Sequence, residues 1–558
     1  MPITQVTVEE IVTKAVNGEV DIPEFQRDFV WDPEKVKKLA ESLYRNYPIG
    51  SFLLWNSSEY SQPRMAEHGR IPLWIVDGQQ RITALCLLLG EKPYWWDNAQ
   101  SWNEHLERYD VMVNLLPDED EDRLEFALPN PARRNDPRWI SIRRVLSRER
   151  LRDLTSLAQE IVSSVKGELD TELFSKVFAR LSQLWQIRER VIPVIEINHE
   201  AEDVVEIFAR LNQEGTRVKE ADVILAVIAG QNPGWVRNEY LPFRNELADG
   251  GWDLEAGIFI RTMSSIGKGR ARLIEVPRDF WDRDLFDVWG TTKGIIQEVL
   301  LRLAEYGITS VDLLPSTNSL IPLFVLHYCW GDKRGYRFGK ALRWFLRANW
   351  DGRYSGAAIT SLNEDIRSIM EAKSFDEAIE NLEKRLRVPQ KIDGSEFLNR
   401  YDQAGSRFLR LMLYLLIFRR EARDWLDGTR IGYDKTGAKI ASGFEPHWHH
   451  IYPRSVLKRE GIPDDEINCL ANITVLNRRP NIRLGHMLPS QYIQRFQISE
   501  EDLRRHLIPD AFAKVANNPE LLEKQWSLER YTEFLFERAN LLAEEANRFL
   551  EELENSSH

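Results

Sequence analysis

Apolar positions recur at helical spacing over most of this 558-residue chain, and short unbroken apolar runs interrupt the pattern chiefly near its start. Thr7 to Ala15 follows the helical period, and Ile22 to Trp31 continues as an extended, aromatic-rich segment. Asp32-Pro33 makes an N-cap and first-turn pair. Behind it Val36, Leu39, Ala40 and Leu43 share one face until Pro48 stops the helix. Ile49 to Trp55, Leu73 to Val76 and Val191 to Ile197 read as strands, and Ala201 to Leu211 as an amphipathic helix ended by Gly215. The pattern predicts a multidomain α+β fold: a mixed α/β domain over 1–230, a helical middle over 231–390, and a last, mainly helical unit over 391–558. In that unit Phe408 to Phe418 is a buried helix, Gly428 to Gly443 a loop or hairpin, and Leu521 to Leu550 a long charged helix.

One junction organises the first domain. After the strand ending at Val76, Asp77-Gly78 makes a turn, and Ile82, Leu85, Leu88 and Leu89 then recur as a helix face. Asp77, Gly78, Gln79, Gln80 and Arg81 therefore sit where free backbone N–H groups and the helix dipole favour an anion. Gly78 lets the backbone approach a phosphate, and Arg81 has the fork to pair with it. A simple turn with a capped helix fits the same residues.

Composition narrows the field. Hydrophobic residues at 43% suffice for packed cores, whereas a net charge of −13 argues against a general DNA coat and confines any nucleic-acid contact to local patches. Cys86, Cys329 and Cys469 are far apart and make no CxxC pair, as expected of a reduced protein without a thiolate zinc site. The N-terminus has no signal-peptide pattern, and the longest apolar runs are too short for a bilayer. The expectation is a cytoplasmic protein with no membrane partner. Two basic stretches invite attention: Arg143 to Arg152, and Lys333 to Arg353 with its interleaved Tyr336, Phe338, Trp344, Phe345 and Trp350. Both suit a phosphate surface, and both suit the charged outer face of a helix, which the sequence favours.

The most specific signal lies downstream. Pro446-His447-Trp448-His449-His450-Ile451-Tyr452-Pro453 gathers three of the ten histidines into four residues. Asn472 follows His450 by 22 residues, and Asn481 follows Asn472 by 9. Phosphodiester hydrolysis needs a base that works near neutral pH and a cation to offset charge on the phosphate. The spacing resembles the His-Asn-His, or ββα-metal, nuclease motif. That resemblance implies His450 as general base, Asn472 orienting it, and His449 with Asn481 holding Mg²⁺ or Mn²⁺. A helix would begin near Pro480-Asn481. His486 is a rival to Asn481 as the distal ligand, and Arg454 and Arg479 are weak candidates for phosphate contacts. As neighbours on a strand, His449 and His450 point to opposite faces unless the strand bends.

Ile22-Pro23-Glu24-Phe25-Gln26-Arg27, Asp77-Gly78-Gln79-Gln80-Arg81 and Phe208-Ala209-Arg210-Leu211-Asn212 precede that motif in order. Together they resemble the GmrSD-type family of bacterial anti-phage restriction proteins, which includes modification-dependent endonucleases and relatives that sense phosphorothioate DNA. The resemblance covers 1–230 and about 391–545. It implies a ParB-like N-terminal domain in which Gln26, Arg27, Asp77, Gly78, Gln79, Gln80 and Arg81 bind an NTP (GTP or ATP), with Arg210 and Asn212 completing the site. No GxxxxGK[ST] sequence offers a P-loop instead.

The leading expectation is a DNA endonuclease or nickase acting on phage DNA, modified DNA included, and gated by the nucleotide domain. Two alternatives stay open: a nucleotide-dependent DNA-binding module that blocks replication without cutting, and an RNA-cutting toxin. A homodimer would suit double-strand cleavage, but nothing in the sequence requires one.

Overall fold

The computed structural model describes residues 3–22, 29, 31–56, 73–96, 101–116, 124–148, 151–166, 170–198, 220–232, 234–277, 279–356, 358–434, 436, 439–477 and 487–556. The chain divides into two compact units, Met1–Arg237 and Asn238–His558.

Eight described strands build the first unit: β1 (Ile3–Thr7), β2 (Val20–Asp21), β3 (Phe52–Asn56), β4 (Leu73–Asp77), β5 (Met112–Asn114), β6 (Glu125–Ala127), β7 (Trp139–Ser141) and β8 (Val191–Ile197). Five form a mixed sheet in the order β1-β8-β3-β4-β2, and β6-β5-β7 form a small antiparallel one. Local signals set the flanking helices, the Asp32 cap as expected and a Thr7 cap in addition. Thr7 closes a capping box with Glu10 at the start of Val8–Val16. Asp32 accepts from the backbone N–H of Lys35 at 2.9 Å to open Pro33–Tyr44. Ile11, Leu39, Leu43, Ile82, Leu85, Leu88 and Ile192 bury their side chains in one core, each contributing roughly 1.5–3 kcal/mol. This core fixes β4 and the Gln79–Leu89 helix, and so the turn between them.

The second unit is mainly helical. Ala256–Lys268, Leu285–Glu305, Leu320–Trp330 and Ala358–Glu371 pack on one another, while Phe338–Trp350 and Arg407–Arg419 pack on the terminal helix Tyr531–Asn555. The single helix expected over Leu521 to Leu550 is in fact two, Pro519–Gln525 and Tyr531–Asn555. The break lets Trp526 turn into the core, where it lies against Phe512 and Phe534 and donates Nε1–H to the Phe512 carbonyl at 3.0 Å. No described helix is long and apolar enough to cross a membrane.

The basic stretch from Lys333 to Arg353 resolves as the bland alternative. Trp344 and Phe345 are buried in the core. Arg337 and Lys340 meet Asp376, Arg343 meets Glu383, and the buried Arg347 meets Glu383 as well. Arg353 makes a two-pronged pair with Asp365 at 2.6 and 2.7 Å. These cations are neutralised within the unit.

Candidate functional site

In the first unit, Asp77 ends β4, Gly78 makes the turn and Gln79–Leu89 begins. Gly78 has φ 103°, and a Cβ there would lie 2.4 Å from Phe52 Cδ1, so the turn requires glycine. Gly78 also brings no side-chain cap to the helix, which leaves its positive end suited to an anion. Arg81 departs from expectation. Its Nη2 donates to Asp77 Oδ2 at 2.7 Å, its Nη1 donates to the Ile49 carbonyl at 2.7 Å, and its guanidinium lies 5.4 Å from the Phe52 ring centroid. The fork expected to meet a phosphate bonds here to the turn and to the segment before β3. Gln79 is buried and Gln80 half-buried beside it. Gln26, Arg27, Arg210 and Asn212 lie outside the described residues, so the structure brings together Asp77 through Arg81 of that set.

In the second unit, β9 (His447–His450) pairs antiparallel with β10 (Ile473–Leu476), placing His450 opposite Ile473 and His449 opposite Thr474. The two histidines point to opposite faces, as adjacent strand residues must. His449, only 6% exposed, faces the rings of Trp425 and Tyr492 at 6.0 and 6.4 Å. His450 faces Tyr401, ring to ring at 5.7 Å and 85°, and Asn468.

The Asn468 contact decides the chemistry of His450. Asn468 Nδ2 donates to the Asp464 carbonyl at 2.9 Å, which turns Oδ1 toward His450 Nε2, 3.0 Å away. A nitrogen facing a carbonyl oxygen carries the proton, so this partner assigns the hydrogen to Nε2 and leaves the lone pair on Nδ1. Burial lowers the ring's pKa from its ordinary value, and the charge of Arg454 pulls the same way against the Asn468 bond. His450 is therefore neutral at pH 7, with a basic nitrogen available.

Asn472, expected to orient His450, does something else. Its Oδ1 accepts from Tyr452 N at 2.9 Å, and its Nδ2 donates to the carbonyls of Tyr452 and Ile467 at 3.2 and 2.9 Å. Fully buried, it clamps the turn that follows His450, while Asn468 takes the ring. Behind Asn472, the buried Arg538 donates to the carbonyls of Ala471 and Ile473 at 2.8 and 2.7 Å, and to those of His506 and Leu507. Burial brings its pKa down to about 9. On the His449 side, His506 Nδ1 meets the Thr474 hydroxyl and Nε2 meets the Arg423 carbonyl, each at 2.8 Å. Burial pushes its pKa down to about 4.

Positive charge gathers on the His450 face. Tyr401 N donates to the Asn468 carbonyl at 2.8 Å, which holds the 399–402 loop against the site. Arg400 in that loop pairs with Asp402 at 2.7 Å. Arg410 lies 5.9 Å over the ring of Trp448, and Arg407 precedes it by one helical turn. Among the described residues, no carboxylate lies within ion-pair distance of Arg407, Arg410 or Arg454. Sequence reading had singled out Arg454 but neither Asn468 nor the two arginines of the buried helix, whose link to His450 runs through tertiary contacts.

Among the described residues, no three His, Cys, Asp or Glu side chains converge as a metal site. Asn481, His486 and Arg479 lie outside them, and His449 and His450 face apart. The described residues do not by themselves make a metal centre.

Two comparisons bear on the chain. An uncharacterized protein of Methanocaldococcus jannaschii is 22% identical over 593 residues, an alignment covering 96% of this chain and 97% of that protein. Residues 8–229 match the family described as GmrSD restriction endonuclease, N-terminal domain, a span that includes the Asp77–Arg81 turn. Over those residues the chain is similar to the N-terminal domain of GmrSD restriction endonucleases.

Proposed function

We propose that this protein is a restriction-type DNA endonuclease whose second unit hydrolyses phosphodiesters with His450 as general base. The observation that supports this reading best is the Asn468–His450 pair at 3.0 Å, which keeps a neutral imidazole with its Nδ1 lone pair free to accept a proton from water. The hydroxide so formed attacks phosphorus, the bond to the leaving sugar oxygen breaks, and Arg454 offsets charge that builds on the phosphoryl oxygens. Dependence on Mg²⁺ or Mn²⁺, through His449 and Asn481, belongs to the proposal on the strength of the ββα-metal resemblance alone.

The uncapped helix start at Gly78 supports an NTP (GTP or ATP) as regulator of cutting. In that role Arg81 shapes the turn rather than gripping the phosphate. Modified phage DNA as target, and a homodimer for double-strand breaks, complete the reading. The test is a plasmid assay with wild-type protein and His450→Ala, with Mg²⁺ or Mn²⁺, with and without GTP or ATP. Unmodified, hydroxymethylated, glucosylated and phosphorothioated DNA are compared. Cutting lost in His450→Ala supports the assignment; cutting at the wild-type rate in that variant overturns it.

A further inference from the structure

We propose that Trp448 and Arg410 form a nucleotide subsite beside His450, where the indole stacks on an unstacked base and Arg410, with Arg407 and Arg454, takes the flanking phosphates. The inference rests on the nuclease reading and adds to it the state of the strand being cut.

Trp448 precedes His450 by two residues on β9, so the two side chains leave the same face of the strand. Its indole is half-buried, unlike Trp281, Trp289, Trp344 and Trp526, which the core encloses completely. Arg410 lies 5.9 Å over that ring, an arrangement that adds a cation–π contact to a stacking platform. Arg407, at i−3 on the same helix, presents a second guanidinium to the same region, and Arg454 flanks His450 from the other side of the motif.

The contrast with the Phe338–Trp350 helix is instructive. There the same residue types occur, yet Arg337, Lys340, Arg343 and Arg347 each meet a carboxylate. Around His450 three arginines make no ion pair among the described residues, and Asp402, whose charge reaches Arg410 and Arg454, is itself paired with Arg400, in a chain of net charge −13. Such local positive potential selects an anion, and a phosphodiester supplies it. A base inside a duplex cannot present its face to an indole. The subsite therefore takes a strand whose base has left the stack, whether single-stranded, mismatched or flipped.

The experiment measures anisotropy of labelled single-stranded and fully paired DNA of one sequence, with matching RNA, in EDTA so that cleavage is suppressed. The full chain is compared with Trp448→Ala, Trp448→Phe and Arg410→Gln, and cleavage kinetics are run in parallel. The wild type should favour the unpaired strand. Trp448→Ala should raise its Kd about tenfold while Trp448→Phe restores most of the affinity. Arg410→Gln should reduce the salt slope by about one. Arg410→Gln and Trp448→Phe carry the test if Trp448→Ala does not fold. Wild-type affinity, salt slope and KM in all variants of a cleaving enzyme would overturn the subsite and leave the nuclease reading standing. A wild type that neither binds nor cuts any nucleic acid would remove both.

Discussion

Asn468 holds the ring of His450, Oδ1 to Nε2 at 3.0 Å, and thereby fixes which ring nitrogen keeps its lone pair. Asn468→Ala should therefore lower kcat at least tenfold with little change in KM, because the ring loses its tautomer and its aim. Asn468→Asp should move the acid limb of the pH profile upward, since a carboxylate there stabilises the imidazolium. Asn472→Ala should act on folding instead. Three hydrogen bonds to buried backbone are lost, so a stability deficit of about 3 kcal/mol is expected in thermal unfolding. If Asn472→Ala melts normally and loses cutting while Asn468→Ala cuts normally, the roles are reversed.

Cleavage should stay flat between pH 7 and 8 and decline only at lower pH. On the proposed mechanism the unprotonated ring is the active form, and burial holds the His450 pKa below its ordinary value, so protonation sets in on the acid side of about 6.5. Arg454→Ala removes a charge that opposes protonation and should shift the limb upward. A rate that already halves above pH 7 in the wild type would exclude His450 as the base.

His506 predicts how the second unit responds to acid. Its folded pKa of about 4 lies below the ordinary value near 6.5. Above 6.5 both folded and unfolded rings are neutral, and stability does not depend on this group. Between 6.5 and 4 only the unfolded ring takes up a proton, so stability falls by up to about 3 kcal/mol and then levels off. Denaturant unfolding of the wild type and of His506→Gln across pH 4–7 should show this slope in the first and a shallower one in the second.

What the sequence disclosed follows the range of each interaction. Capping at Asp32, the turn at Asp77-Gly78, the strand at Val191–Ile197 and the helix around Phe408 to Phe418 depend on neighbours a few residues apart, and they were legible. His450 stands out in the sequence by spacing alone, because a motif keeps its intervals. Its surroundings do not. Tyr401 and Arg410 reach the site from another part of the chain, and Arg538 approaches from the terminal helix. Asn468 and Asn472 differ only in which backbone each amide meets, a distinction without a local sequence signature. The break at Trp526 was missed because helical periodicity runs through it, whereas the indole gains more by turning inward.

The last prediction concerns Arg81, which the sequence alone would assign to a phosphate. Its hydrogen bonds join Asp77 at the end of β4 to the Ile49 carbonyl before β3, so removing the guanidinium strips both partners at once. Arg81→Met should lower the stability of the first unit by about 2 kcal/mol. Gly78→Ala should cost at least as much, because φ 103° is strained for alanine and the new Cβ meets Phe52. Arg81→Lys separates the two roles. Lysine keeps the charge but loses the fork that spans Asp77 and Ile49, so a scaffold arginine predicts a lower melting temperature with nucleotide affinity following the loss of fold. An Arg81→Lys protein that melts like the wild type yet no longer binds GTP or ATP would instead make Arg81 a direct phosphate ligand, released from Asp77 when nucleotide arrives.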